Sequence, residues 1–444
     1  MKCRITILIC TLYSVLCTMN AQDFARLSER SIMGTARYVG MSGAMTAIGG
    51  DPSSVLDNAA GLGLYRRTEV MVTADQMIDR TRQLGAKQSL QRLQFMVPQV
   101  SVVLSVPTSN LSSGGVQFHN FMFSYQRLQT FRRSMFGEST REPSLGALLA
   151  GSEVNWDLPF CADRYNATNS LSLVESGYVN DYAFHWAMNT ADRWYLGAGL
   201  NIYSWTLISE GKYMEYFDTR NTRGVAYSNL NSTYILFSGA AAAFSLGTIL
   251  RPTSWLRFGL GLQTPSFGSL TTATYGTIEA QTDSLRYSDS PTCRSVDKSF
   301  HMPFHISTSV AFQFGAYGML SMQYDCFHQQ KLNAMHSLRA GIEVIPVLGL
   351  YINAGYAYES TFARTTQVVP MDPSFDRQDT YFLTPRWSQY ASVGVGYRGT
   401  HMLAQLAYQY RWQRIDLFAH ELMSPYEMNT QTHRIVLTLG WHRN

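Results

Sequence analysis

The feature that most constrains this chain is a strict two-residue alternation of side-chain character, sustained over runs of about ten residues. In Trp255–Gln263, Leu256, Phe258, Leu260 and Leu262 share one face, while Trp255, Arg257, Gly259, Gly261 and Gln263 share the other. In Leu350–Glu359, Leu350, Ile352, Ala354, Tyr356 and Tyr358 oppose Tyr351, Asn353, Gly355, Ala357 and Glu359. Met402–Trp412 sets Met402, Ala404, Leu406, Tyr408, Tyr410 and Trp412 against Leu403, Gln405, Ala407, Gln409 and Arg411. Leu338–Val344 alternates in the same way, and Ile435, Leu437, Leu439 and Trp441 form the last apolar face. A period of two belongs to extended strands. Globular strands commonly run about 5–6 residues, whereas a tilted strand crossing a bilayer needs about 9–11. Several apolar faces end in Tyr or Trp, as an aromatic girdle at a membrane boundary requires.

Candidate strands fall near 68–75, 98–106, 116–130, 180–188, 193–210, 232–247, 254–270, 298–313, 316–328, 336–345, 348–360, 387–398, 400–414 and 432–441. That is about fourteen, an even number, as single-chain outer-membrane barrels prefer. Short links such as 315–317, 345–347 and 398–400 alternate with long gaps at 131–179, 211–231, 271–297 and 361–386. Short turns on one rim and long loops on the other fit a barrel with its long loops outside the cell. Leu145–Ala150 in the longest gap is expected to form a short helix over the mouth. The apolar stretch Ala226–Leu250 has no charge, but Gly and Ser interrupt it and its apolar core is short of 18 residues, so it reads as a strand rather than a spanning helix.

Composition agrees. Charged residues make up 15% of the chain, against roughly 25% in ordinary soluble domains, and aromatics reach 13%. A large soluble all-β protein shares several of these traits, and composition alone leaves it open. The net charge of +4 is spread along the chain, with no basic run for a nucleic acid and no acidic tail.

Residues 1–21 read as a secretory signal peptide, with Lys2 and Arg4 before an apolar centre from Ile5 to Leu16 and cleavage near Ala21. A lipoprotein reading through Cys17 is weaker, because bulky Leu16 stands where a small residue is wanted. Beyond the leader lie Cys161, Cys293 and Cys326, too few for a disulfide framework and without CxxC metal spacing. Cys161 and Cys293 fall in expected loops, and whether they pair is not legible from sequence. Cys326 falls in a strand.

Residues 22–67 read differently. Gly34, Gly40, Gly43, Gly49 and Gly50 come too densely for a strong helix. Asp51-Pro52-Ser53-Ser54 is a turn or helix start, with Pro at a first helical position. Val55–Asn58 has room for one short turn before Gly61 and Gly63. Glycine at this density allows close backbone approach. The segment therefore reads as a plug inside the barrel formed by 68–444, with a flexible lead-in arm as the plainer alternative.

Catalytic and metal signals are weak. His301 and His305 on one strand would lie about 13 Å apart, too far for one ion. No nucleophile elbow, HExxH or phosphate loop appears. No enzyme activity, metal or cofactor is expected. Arg257, Asp325, Arg339, Glu343, Glu359, Arg398 and Arg411 fall on expected inward faces. Such charges either solvate a pore or pair with one another and with a plug, and buried charges must be paired.

The pattern Ala36-Arg37, Gly40-Met41-Ser42-Gly43-Ala44, Ala47-Ile48, Asp51-Pro52-Ser53 and Asn58-Ala59-Ala60-Gly61-Leu62 resembles the hatch of the outer-membrane long-chain fatty-acid transporter family, the FadL/TodX-type hydrocarbon transporters. That family carries Asn-Pro-Ala-Gly; here Asn58, Ala60 and Gly61 match and Ala59 replaces the proline. Leu256–Phe267, Met302–Phe304, Gly355–Tyr358 and Leu437–Gly440 are similar to family strands. The resemblance implies an all-β, fourteen-stranded antiparallel transmembrane barrel with an N-terminal hatch in its lumen. It implies a monomer in the outer membrane that passively takes up fatty-acid-like hydrophobic molecules, releasing them past the hatch or through the wall. Hatch residues Gly40, Gly43, Asp51, Pro52, Asn58, Ala60 and Gly61 carry over, while ligand-binding residues do not. The alternative is a binding, receptor or structural barrel with an immobile plug, haemin binding included.

Overall fold

A computed structural model describes residues 26–108, 115–145, 165–217, 227–282, 286–289, 294–328, 334–362, 380–420 and 422–443. Fourteen staves close into one antiparallel barrel. They are β1 (Thr68–Gln83), β2 (Leu90–Pro107), β3 (Val116–Thr130, continued by Arg133–Thr140), β4 (Thr168–Thr190) and β5 (Trp194–Tyr216). Next come β6 (Tyr227–Leu250), β7 (Leu256–Gln263, continued by Phe267–Thr282) and β8 (Arg286–Asp289, Arg294–Phe300 and Phe304–Gln313). β9 (Gly318–His328), β10 (Met335–Val347), β11 (Leu350–Ser360), β12 (Phe382–Arg398), β13 (Met402–Phe418) and β14 (Tyr426–Arg443) complete it. The two parts of β3 both pair with β4, and the two parts of β7 both pair with β6, so each is a single stave with a local break. β14 pairs with β1 from Arg443 opposite Thr68 to Met428 opposite Gln83, which closes the cylinder. Closure leaves no open sheet edge along the membrane-crossing part of the cylinder except at the β2–β3 joint, the arrangement a bilayer requires.

The apolar phase of the alternation faces outward. Leu406, Leu437, Ile435 and Trp441 are exposed on the outer wall, while their neighbours Ala407, Val436 and Thr438 are buried inside. All fourteen candidate strands lie on separate staves. Their extents need correction: the expected gaps 131–179, 211–231, 271–297 and 361–386 contain much of the strand at the loop side. Ser172, Val174 and Ser176 face outward on β4 there, while Leu171 and Leu173 are buried inside. Above the bilayer the outer face no longer needs to be apolar, and the sense of the alternation reverses. The stretch Tyr227–Leu250 is a strand, as its composition indicates. Leu145 is described, but the remainder of the expected 145–150 helix, the leader, Cys161 and Cys293 lie outside the described residues. Cys326 carries a free thiol on the outward phase of β9.

One joint in the wall is incomplete. Backbone pairing of β2 with β3 runs from Pro107–Phe118 only as far as Gln99–Gln126, although β2 continues to Leu90. Pro98 lies at this point, and proline has no N–H for a ladder. The outward phase also changes there, from Leu93, Phe95 and Val97 to Val102 and Leu104. Beyond it the two staves meet through side chains: Thr130 Oγ1 donates to Gln94 Oε1 at 3.1 Å, and Arg92 Nε to Ser134 Oγ at 2.7 Å.

Candidate functional site

The barrel is filled from its own N-terminus. Residues 33–63 are almost all buried inside the cylinder. Two short helices, α1 (Ala36–Gly40) and α2 (Pro52–Asp57), and a 3-10 turn (Ala59–Leu64) are held by caps rather than by length. Thr35 caps α1 and Asp51 caps α2, with Pro52 at the first helical position. Asp51 Oδ1 accepts from Ser53 N at 2.9 Å, and its Oδ2 accepts from Thr35 Oγ1 at 2.7 Å, so one carboxylate joins both helices. Asn58 caps the 3-10 turn through Ala60 N at 3.1 Å. Its Nδ2 donates to Thr46 O at 3.0 Å and to Thr248 O of β6 at 3.2 Å. Gly50 N donates to Gly61 O at 3.0 Å, closing the loop between the two halves of the plug.

The hatch residues singled out from sequence are thus brought together, as structural joints of the plug. Gly43 has φ of +76° and sits against Arg339 and Tyr38. Gly40 lies against the Asn353 side chain, and Ala60 packs on Tyr195 and Ile249. Sequence reasoning missed the wall side of this contact. A Cβ on Gly259 would stand 2.6 Å from Thr46 O, one on Gly341 2.8 Å from Met41 O, and one on Gly355 2.6 Å from Ser42 N. Gly197, Gly247 and Gly261 approach Ala59, Asn58 and Asp57 in the same way. Inward-phase glycines let the plug backbone lie directly on the wall. Their signal was visible as Gly259 and Gly261 on the face opposite the leucines.

Ion pairs clamp plug to wall. Arg37 makes a two-pronged pair with Glu343, at 2.7 and 2.8 Å. Arg434 donates to Asp75 of β1 at 3.0 Å and to Ile32 O at 2.7 Å. Arg339 lies 3.2 Å from Asp325, 3.4 Å from Glu359 and 3.5 Å from plug residue Asp57, and donates to Tyr38 Oη at 3.1 Å. Arg411 reaches Glu29 at 3.1 Å, and Arg257 donates to Ile48 O at 3.3 Å. Six of the seven expected inward charges therefore line the lumen and engage the plug or one another. Arg398 sits half-exposed at the turn-side rim, bound to Glu69 at 3.1 Å. The histidines separate: His305 faces inward, 3.2 Å from Asp325, while His301 bonds the backbone oxygen of Ser266.

Above the plug the lining becomes apolar. Leu171, Leu173 and Val179 of β4, Tyr203, Trp205 and Leu207 of β5, Ile235 and Phe237 of β6, Leu270 of β7, and Phe300 with Met302 of β8 form one buried cluster with Leu27. Trp205 and Phe300 pack in a tilted pair, with ring centres 4.6 Å apart and planes at 58°. Among the described residues Trp205 Nε1 has no hydrogen-bond partner. A cavity of about 40 Å³ lies in the lumen between Ser31 and Met33 of the N-terminal segment, Asp79 of β1, Gln129 of β3, Arg411 of β13 and Arg434 of β14. Ligand pockets commonly measure about 300–1,000 Å³, so this cavity is too small to hold a ligand. A hollow of about 590 Å³ lies on the lipid side of the wall, beside Phe258, Met322 and Leu338.

No protein-family model and no curated protein sequence matches this chain. Solved structures do. A FadL homologue from Pseudomonas aeruginosa superimposes with a TM-score of 0.56 at 13% identity, over 93% of this chain and 99% of that one. The Pseudomonas putida toluene transporter TodX gives 0.53 at 11% identity, over 93% and 99%. The Ralstonia pickettii toluene transporter TbuX gives 0.52 at 11%, over the same shares. The chain has the fold of these plugged transmembrane barrels over nearly its whole length.

Proposed function

We propose that this protein is a passive outer-membrane transporter of small hydrophobic molecules, with fatty-acid-like compounds as the substrate class. The observation that carries the reading is the reversal of the alternation above the plug, which turns a ring of Leu, Ile, Phe and Trp into the lumen. A barrel that carried only polar solutes would have no use for a dry lining under its loops. Trp205 Nε1 offers a donor within that lining, suited to a ligand with one polar end. The β2–β3 joint, where backbone pairing stops and side chains bridge the two staves, is the natural sideways exit.

The ion-pair clamp favours a second reading, a binding or receptor barrel whose plug stays in place. Uptake separates the two. Cells lacking their own fatty-acid porin but expressing this chain are expected to accumulate radiolabelled oleate several-fold faster than cells without it. Binding of oleate with no gain in uptake would contradict transport and support the fixed plug. Protein lacking Gly34–Leu64 should conduct ions in planar bilayers where the full chain does not.

A further inference from the structure

We propose that Arg80, Arg82 and Arg414 form a docking surface for the phosphate groups of lipids in the loop-side leaflet. Arg80 and Arg82 lie on the outward phase of β1, continuing the series Val72, Ala74, Gln76 and Ile78. Arg414 continues the outward phase of β13 beyond Tyr408, Tyr410 and Trp412. All three side chains are exposed.

The strand register brings them together. Arg414 pairs with Asn429 of β14, and Asn429 pairs with Arg82 of β1. Arg82 and Arg414 are therefore two strands apart in one row, about 10 Å. Arg80 lies one pleat nearer the membrane, about 7 Å along the strand, opposite Gln431 and Gln91. The row below it, with Ile78, Leu93, His433 and Tyr410, is the edge of the apolar belt. Three guanidinium groups thus stand immediately above the girdle, at the depth where headgroup phosphates begin.

Among the described residues no acid pairs with them. Arg80 Nε donates to Ser89 Oγ at 3.2 Å, a neutral partner. Among the described residues neither Arg82 nor Arg414 has an ion-pair partner, whereas the neighbouring Arg386 is paired with Asp416 and Glu427. On the opposite wall, the described outward-phase charges of β5 to β8 include Glu210, Lys212, Glu279 and Asp297. Guanidinium groups bind phosphate in a two-pronged, charge-assisted way, and the adjoining belt holds the acyl chains of the same lipid.

The test uses the purified full chain in a neutral detergent, with lipid binding read by native mass spectrometry. Diphosphoryl lipid A should bind at least about tenfold more tightly than its dephosphorylated form, a preference that 500 mM salt weakens. The triple variant R80Q/R82Q/R414Q should lose that preference, and Lys212→Gln on the far wall should keep it. Equal binding of the two lipids by the unaltered protein would overturn the proposal whatever the variants do. Retention of the preference by a folded triple variant would also overturn it. Displacement of lipid A by millimolar inorganic phosphate would show a site for the free anion and overturn docking of a lipid.

Discussion

Asp51 shows how much one side chain does in the plug. It caps α2, ties that helix to Thr35 and is wholly enclosed. Burial pushes its carboxyl above the ordinary value of 3.8, against the pull of its hydrogen bonds and Arg37. A carboxyl whose pKa is raised by folding binds its proton more tightly in the folded state. Its ionisation therefore weakens the plug as pH rises through the folded pKa, and acidification towards 3.8 strengthens it. Urea unfolding across the acid range should show this contribution, and Asp51→Asn should remove it while leaving the caps to the amide. The Arg37–Glu343 pair acts in the other sense. Glu343→Gln leaves a guanidinium inside the lumen without its two-pronged partner, and should cost about 3 kcal/mol in the same assay. Asp51 and Pro52 were legible as a helix start because capping is local chemistry, whereas Asn58 stood out only within the hatch pattern and its capping of the 3-10 turn was not read. Glu343 was legible as an inward charge, but its partner, some three hundred residues away, was not.

At the scale of elements, the strands were legible wherever the bilayer imposes its rule. From Leu256 to Gln263 and from Met402 to Trp412 the outer face must be apolar, so the period shows plainly. Beyond the girdle that rule lapses. Leu171, Leu173 and Tyr213 turn inward, and a reader expecting apolar residues outside takes these stretches for loops. The plug's seat was only half legible. Its own glycines stood out by density, but the wall glycines became meaningful only when Gly261 was seen against Asp57 and Gly247 against Asn58. Gly261→Val would drive a branched side chain into the plug backbone. The expected loss is about 1–3 kcal/mol, with heat-modified gel mobility at lower temperature as the readout. The same substitution at Gly399, which faces no plug residue, should leave that temperature unchanged.

At the scale of the molecule, a cylinder with an apolar exterior is blocked by a plug resting on glycines and clamped by arginines. The plug is buried across the lumen, and the cavity of about 40 Å³ beside it is too small for any lipid-like ligand. Passage therefore requires the plug or the β2–β3 joint to move. Thr46 of the plug meets Ser307 of β8 through hydroxyl oxygens 2.7 Å apart, close enough for a disulfide once both are cysteine. The decisive measurement is oleate uptake by cells carrying T46C/S307C, oxidised and then reduced. The account predicts that oxidation locks the plug and cuts uptake at least about tenfold, with full recovery on reduction. Equal uptake in the two states would contradict a moving plug.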